Sequence, residues 1–301
     1  MKRLAVKIIR GILVLYSKLP LRFHYFMADI FAWVVKNVLR YRAEVIYTNL
    51  SRSFPQMKYW DLEKVGENYY THLGEIIAET IWFSGSSYDR LRKSGIVTVM
   101  NPEEISEMFR STPSLTVLST HCGNWELLGG LLGYRTATGA KIEIEERDIT
   151  VVYKRLHSEV FDDVFALNRI APLEVVGREC EVESNSILRF AIQHKNERRV
   201  YIYPTDQSPY GQTRHMIGKF MHQDTNAMLG SAVVANKLGH SVMYMKMQRM
   251  ERGRYEMKLI PICRDASKMA PDQIMRKYYD LLEQDINETP HNWLWSHKRW
   301  K

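Results

Sequence analysis

The 301-residue chain is 45% hydrophobic and 25% charged, a balance that fits a globular protein with one large core or two small ones and excludes a disordered chain. Its 42 Lys and Arg against 34 Asp and Glu leave a formal charge of +8, which suits an anionic partner: phosphate-bearing lipid, an acidic carrier protein or nucleic acid. Three cysteines, Cys122, Cys180 and Cys263, have no paired spacing, so neither a disulfide framework nor a zinc site is indicated, and a reducing compartment fits best.

In residues 1–40, Lys2, Arg3, Lys7, Arg10 and Lys18 interleave with Leu4, Val6, Ile8, Ile9, Ile12, Leu13, Leu15 and Leu19. No apolar run reaches the roughly 18 to 20 residues that span a bilayer. After Pro20 a second apolar segment, 23–38, carries Tyr25, Phe26, Phe31 and Trp33 among His24, Asp29 and Lys36. This aromatic and basic mixture predicts helices lying in a headgroup region. Packing of the same helices on their own domain and a single tilted span are the alternatives. No small-residue cleavage site follows a compact apolar core, which argues against a signal peptide.

Residues 41–95 read as two or three helices, with a turn at Ser53-Phe54-Pro55. From there strands and helices alternate: strand 96–100, helix 103–110, strand 115–120, a helix from Leu127 onward, strand 149–153, a helix ending at Arg169, strand 173–176, helix 186–194 and strand 199–203. A small-residue helix at 230–239, strands 241–248 and 255–260 as a candidate hairpin, a helix at 271–287 and a Trp-rich basic tail complete the chain. Alternation of this kind implies βαβ crossovers and a mostly parallel sheet flanked by helices, an α/β fold whose sites lie beyond the carboxyl ends of the strands.

Ser119-Thr120-His121-Cys122-Gly123-Asn124-Trp125-Glu126 joins one such strand to the next helix. A strand-to-helix turn folds back, so His121 and Glu126 can converge, the carboxylate fixing the ring while its other nitrogen takes a proton. The bland alternative is a buried, hydrogen-bonded histidine beside a helix cap. Cys122 is the rival nucleophile, but nothing argues for a depressed thiol pKa. Lys154, Arg155, Asp206 and Gln207 also follow strand ends, and a sheet gathers such ends together.

The run His121-Cys122-Gly123-Asn124-Trp125-Glu126 resembles the histidine, four residues, acid signature of the glycerolipid acyltransferase superfamily, in the form found in lipid A late acyltransferases. The resemblance extends to Asn49-Leu50, Ser53-Phe54-Pro55, Val152-Tyr153-Lys154, Tyr203-Pro204-Thr205-Asp206-Gln207, Phe220 with Gln223-Asp224-Thr225, and the ending Trp293 to Lys301, so it covers nearly the whole chain. Asn226 departs from it, since proline often follows that threonine in the family.

The resemblance implies transfer of a fatty acyl chain, usually from acyl carrier protein, to a hydroxyl of an acylated glucosamine lipid at the cytoplasmic face of a bacterial inner membrane. On that reading residues 1–40 attach a catalytic domain, 41–301, to the membrane. The dyad carries over to His121 and Glu126, the basic position to Lys154 and the acidic one to Asp206. Asn124, Trp125, Arg155 and Gln207 are assigned with them to substrate binding; no cofactor, metal or nucleic acid is expected. Lys154 and Arg155 would meet lipid phosphate or the oxyanion, and Asp206 would order those cations or contact the acceptor sugar. Phospholipid or mannoside-lipid acylation uses the same dyad, and a basic peripheral protein that binds anionic lipid without chemistry is the reading from another class.

Overall fold

The computed structural model describes residues 2–155, 158–173, 180–209 and 214–300. The chain begins with helices α1 (Lys2–Ser17), α2 (Leu21–Trp33), α3 (Ala43–Ser53), α4 (Tyr59–Phe83) and α5 (Tyr88–Ser94). Strand β1 (Val97–Val99), helix α6 (Pro102–Arg110) and strand β2 (Leu115–Ser119) follow. Beyond a 3₁₀ helix, Trp125–Gly133, come β3 (Arg135–Thr136), β4 (Ile149–Tyr153), α7 (Glu159–Arg169), β5 (Glu181–Glu183), α8 (Ile187–Gln193) and β6 (Val200–Pro204). The last third holds β7 (His215–Phe220), β8 (Gln223–Ala227), α9 (Gly230–Leu238), β9 (Ser241–Glu251), β10 (Arg254–Cys263) and α10 (Pro271–Glu288).

Eight strands form one sheet in the order β3-β1-β10-β9-β2-β6-β4-β5. Every neighbouring pair is parallel except β9 and β10, the expected hairpin, which turns at Gly253 with φ 73°. Helices cover both faces, and all five residues of β2, Leu115 to Ser119, are buried. One face packs Tyr69, Tyr201, Tyr244, Tyr278 and Trp295; the other packs Phe83, Leu91, Met243, Met257 and Leu127.

The structure departs from the sequence reading at two points. The segment after the motif is 3₁₀ rather than α-helical, because glycine weakens an α-helix and the three glycines are wanted for close approach. A Cβ on Gly129 would lie 1.7 Å from the Arg169 carbonyl oxygen, one on Gly130 2.6 Å from Leu91, and one on Gly133 2.3 Å from the Tyr88 ring. The β7–β8 hairpin had no sequence signal, since its turn residues Met221 and His222 take positive φ (49° and 64°) without the usual Gly or Asn. The strand expected at 173–176 falls, apart from Leu173, outside the described residues.

Helix α2 runs antiparallel to α4, as the pairs Tyr25 with Glu79 and Lys36 with Glu67 show. It buries His24, Ala28 and Ala32 along one stripe, and Gly74 permits the contact, because a Cβ there would come 2.7 Å from the Ala28 carbonyl oxygen. Helix α1 lies against α4 and α7, with Lys2 bonded to Glu159 and Arg10 to Asn168 and the Ser84 carbonyl. The outer surface is apolar: Leu4, Ile8, Ile12 and Leu15 on α1 and Phe26, Ile30, Phe31 and Trp33 on α2 are exposed. Among the described residues no helix is long and apolar enough to cross a membrane.

Candidate active site

Strands β2, β6 and β4 are neighbours whose registers align Leu115 with Val200 and Val200 with Ile149. Carried to the strand exits, that alignment puts Thr120, Thr205 and Lys154 at one level, so the next residues, His121, Asp206 and Arg155, leave the sheet side by side. Strand spacing is about 4.8 Å, so β4 exits roughly 10 Å from β2.

The turn after β2 is tightly determined. Gly123 takes φ 61°, and a Cβ there would sit 2.7 Å from the Met247 carbonyl oxygen, so only glycine fits. Its N–H donates to the Asn292 carbonyl at 3.0 Å. Asn124 then caps the 3₁₀ helix, accepting from the Glu126 N–H at 3.2 Å.

His121 is gripped by Asp206 rather than by Glu126. Its Nδ1 lies 2.6 Å from Asp206 Oδ1, and its backbone N–H donates to Asp206 Oδ2 at 2.9 Å. The Trp293 indole N–H donates to the same oxygen at 2.8 Å. The His121 side chain is 13% exposed and that of Asp206 2%. Burial disfavours the charged ring, but the charge and hydrogen bond of Asp206, with the more distant charge of Glu126, raise His121 above its ordinary 6.5. Burial likewise opposes ionisation of Asp206, yet the ring, the backbone N–H and the indole hold its carboxyl below the usual range. An ionised Asp206 requires the proton on Nδ1, which leaves Nε2 as the basic nitrogen. The Gln207 amide nitrogen stands 3.1 Å from it.

Glu126 occupies a different place from the one expected. Its Oε1 accepts from the Trp125 indole at 3.0 Å, and Trp125 packs edge-on against His121 with ring centroids 4.9 Å apart. Burial raises the Glu126 carboxyl above its ordinary value, only partly opposed by Arg169, the indole and His121. The motif therefore brings Glu126 near the ring as a charge, while the ring's hydrogen-bonded acid comes from β6. Register across the sheet outweighs proximity in the chain.

The remaining expected residues divide. Asn124 is fully buried with its amide turned to protein groups, Glu79 Oε2 at 2.8 Å and the Glu126 N–H, so it serves the turn and leaves no polar atom for a substrate. Lys154 and Arg155 are exposed, and Arg155 lies 3.4 Å from Glu183. Asp206 orders the histidine, not those cations. Trp293 was expected only as part of the Trp-rich basic tail, and the signal for its role was the Trp-rich ending itself. Cys122 is buried, its N–H bonded to Thr120 and its thiol pushed well up by burial, which disfavours the thiolate a nucleophile needs.

At the far end of the 3₁₀ helix a cavity of about 840 Å³ is lined by Leu131, Leu132, Tyr134, Ile142 and Ile144, with Arg92, Arg135 and Lys141 among its polar residues. Among the described residues no three His, Cys, Asp or Glu side chains converge as a metal site.

A strand-end histidine with Nδ1 tied to a buried acid and Nε2 left basic is an arrangement suited to taking up a proton. The chain belongs to the bacterial lipid A biosynthesis acyltransferase family, whose sequence model matches residues 2–301. It is thus an acyltransferase with a lipid acceptor, and lipid binding without chemistry is set aside. No curated protein matches the chain.

Proposed function

We propose that the enzyme transfers a fatty acyl chain from acyl carrier protein to a hydroxyl of a lipid A precursor by direct attack, at the cytoplasmic face of the inner membrane. The observation that carries this reading is the His121 ring, fixed at Nδ1 by Asp206 with Nε2 left basic. The acceptor hydroxyl displaces the Gln207 amide and gives its proton to Nε2 as its oxygen bonds to the thioester carbonyl carbon. Collapse of the tetrahedral intermediate breaks the carbon–sulfur bond, and the thiolate takes the proton back from the imidazolium. Asp206 and the nearby charge of Glu126 stabilise that imidazolium. Lys154, at the exit of β4, would meet a lipid phosphate or the developing oxyanion.

The net charge of +8 suits both an acidic carrier and a phosphorylated acceptor. The exposed apolar faces of α1 and α2, flanked by Lys7, Lys18 and Arg22, suit the surface of an anionic bilayer. The cavity lined by Leu131 and Ile142 offers room for an acyl chain. The test is mass spectrometry of the lipid formed by purified enzyme from an acyl carrier protein thioester and an acylated, phosphorylated glucosamine disaccharide. One added acyl group, absent with His121→Ala, supports the proposal. Product only from a phospholipid acceptor, or a labelled acyl group retained on the protein, overturns it.

A further inference from the structure

Glu79, on α4, is fully buried, and among the described residues it is in no ion pair. Its oxygens instead accept three neutral hydrogen bonds of 2.8 Å, from Asn124 Nδ2, the Tyr255 hydroxyl and the Tyr25 hydroxyl. A carboxyl held in this way is costly to keep in a core, so the mechanism of transfer, which does not use it, leaves it to be explained. What it touches is the turn between His121 and Glu126.

The Asn124 amide has two ends and both are committed. Its nitrogen donates to Glu79, and its oxygen accepts from the Glu126 N–H. Reversed, the amide would set oxygen against carboxylate and NH₂ against N–H. Glu79 therefore decides which way Asn124 faces, and Asn124 decides where the backbone of Glu126 starts. The preceding residue is held as well: the Gly123 carbonyl accepts from His72 Nε2 at 3.2 Å, and His72 Nδ1 is 3.5 Å from Glu75. Glu75 takes a bidentate Arg249 at 2.7 and 2.9 Å and Arg252 at 2.8 Å, and Arg252 forks onto Asp29 at 2.6 and 3.0 Å.

One unbroken chain of hydrogen bonds thus runs from Tyr25 on α2 through Glu79 to Asn124, while a second, from Asp29 one turn further on, reaches Glu75, which stands against the ring of His72, the donor to Gly123. The same helix turns Phe26, Ile30 and Trp33 outward. We propose that Glu79 is a positioning residue which, with His72, clamps the turn between His121 and Glu126 to α2, so that the seating of α2 on lipid sets the geometry of the reacting groups. This rests on the acyl-transfer reading of His121 given above. A shift of about 1 Å in such a turn is enough to cost about 100-fold in rate.

The chemistry supplies its own test in a residue swap on the full-length enzyme. Asn124→Asp removes the donor and sets two carboxyls face to face, so kcat should fall by about 100-fold. Glu79→Gln alone should cost about threefold, since a carboxamide oxygen still accepts from Asn124. With both substitutions together, the carboxamide introduced on α4 donates to one oxygen of the carboxylate introduced in the turn, while the other oxygen still caps Glu126. The kcat of this double variant should return to the level of Glu79→Gln. A double variant no better than Asn124→Asp overturns the pairing, and so does an Asn124→Asp enzyme as fast as wild type. If Asn124→Asp does not fold, a folded double variant supports the pairing and an unfolded one refutes it.

For the link to α2, Tyr25→Phe removes one hydroxyl. Its kcat with acceptor in anionic vesicles should drop relative to kcat with acceptor in detergent micelles, at unchanged KM for the acyl carrier protein thioester. An unchanged ratio sinks the link. His121→Ala runs beside them: turnover in that variant at the wild-type rate would instead bring down the underlying reaction, a failure distinguishable from failure of the clamp.

Discussion

The strand-end site and the N-terminal helices hold their groups in opposite ways. At the site the acid is inside and satisfied: Asp206 alone receives the His121 ring, the His121 N–H and the Trp293 indole. On α1 and α2 the large apolar groups are outside, with Leu15 69% and Trp33 61% exposed, against a thin buried stripe. The first arrangement fixes one geometry, since every displaced polar atom loses a partner. The second presents an apolar surface, of a kind suited to an apolar and extended partner. Chemistry needs the one and docking on lipid suits the other.

The sharpest break in this contrast is His121→Ala, which removes the base and should lower kcat by about 10²- to 10⁴-fold while leaving the melting temperature near wild type. Asp206→Asn keeps the shape of the side chain and removes the charge, and should cost roughly 10²-fold through a misassigned tautomer. It also makes a signed pH prediction. Asp206 raises the ring above 6.5, so the neutral, basic form is lost as pH falls through that raised value. The acid limb of kcat/KM should therefore have its midpoint above 6.5 in the wild type and move down in Asp206→Asn. A limb that does not move would separate the carboxylate from the base.

These predictions also mark what the chain reveals by itself. The strand ending at Ser119, the turn that follows and the exit of β6 at Asp206 were legible, because a strand buried on both faces writes itself as a short run rich in apolar and β-branched residues. The partner of His121 was not. Glu126 is five residues away and Asp206 is 85, and the choice is made by the alignment of Leu115 with Val200, which no local pattern encodes. The 3₁₀ helix escaped for the converse reason: its leucines have a helical period, while the glycines answer to Arg169, Leu91 and Tyr88 elsewhere in the fold. The apolar stripes of α1 and α2 were plain, but whether they faced a core or solvent depended on where α4 and α7 lie.

On the docking side, Phe26→Ser with Trp33→Ser should sharpen the comparison. Both side chains are 61% exposed, so burying the rest of each in lipid contributes on the order of 1 kcal/mol, and losing both should weaken binding to anionic vesicles about 30-fold. Turnover on detergent-dispersed acceptor should hardly change. Unaltered sedimentation with vesicles would make the exposed face a surface without a lipid partner. Between the two regions stands Lys154, exposed and level with the site. Lys154→Met should cost about tenfold in kcat/KM at low salt and less at high salt, the mark of a solvent-screened cation. Lys154→Arg should recover part of the loss.

The smallest expected effect is the most informative about mechanism. Cys122 follows the base directly in the chain, and an acyl-enzyme route would require its thiolate. Its side chain is 1% exposed in an apolar environment, where burial disfavours the charged form and the nearby carboxyls of Asp285 and Asp206 add to that. A thiol kept protonated and away from solvent neither attacks a thioester nor leaves from one. Cys122→Ala should therefore keep kcat within about twofold, with a small loss of stability, about 1 kcal/mol, for the vacated volume. Intact-protein mass spectrometry during turnover should find no acyl adduct in the wild type. An adduct that vanishes in Cys122→Ala together with activity would replace direct transfer by a two-step reaction, and the geometry around Asp206 would then have to serve the thiol.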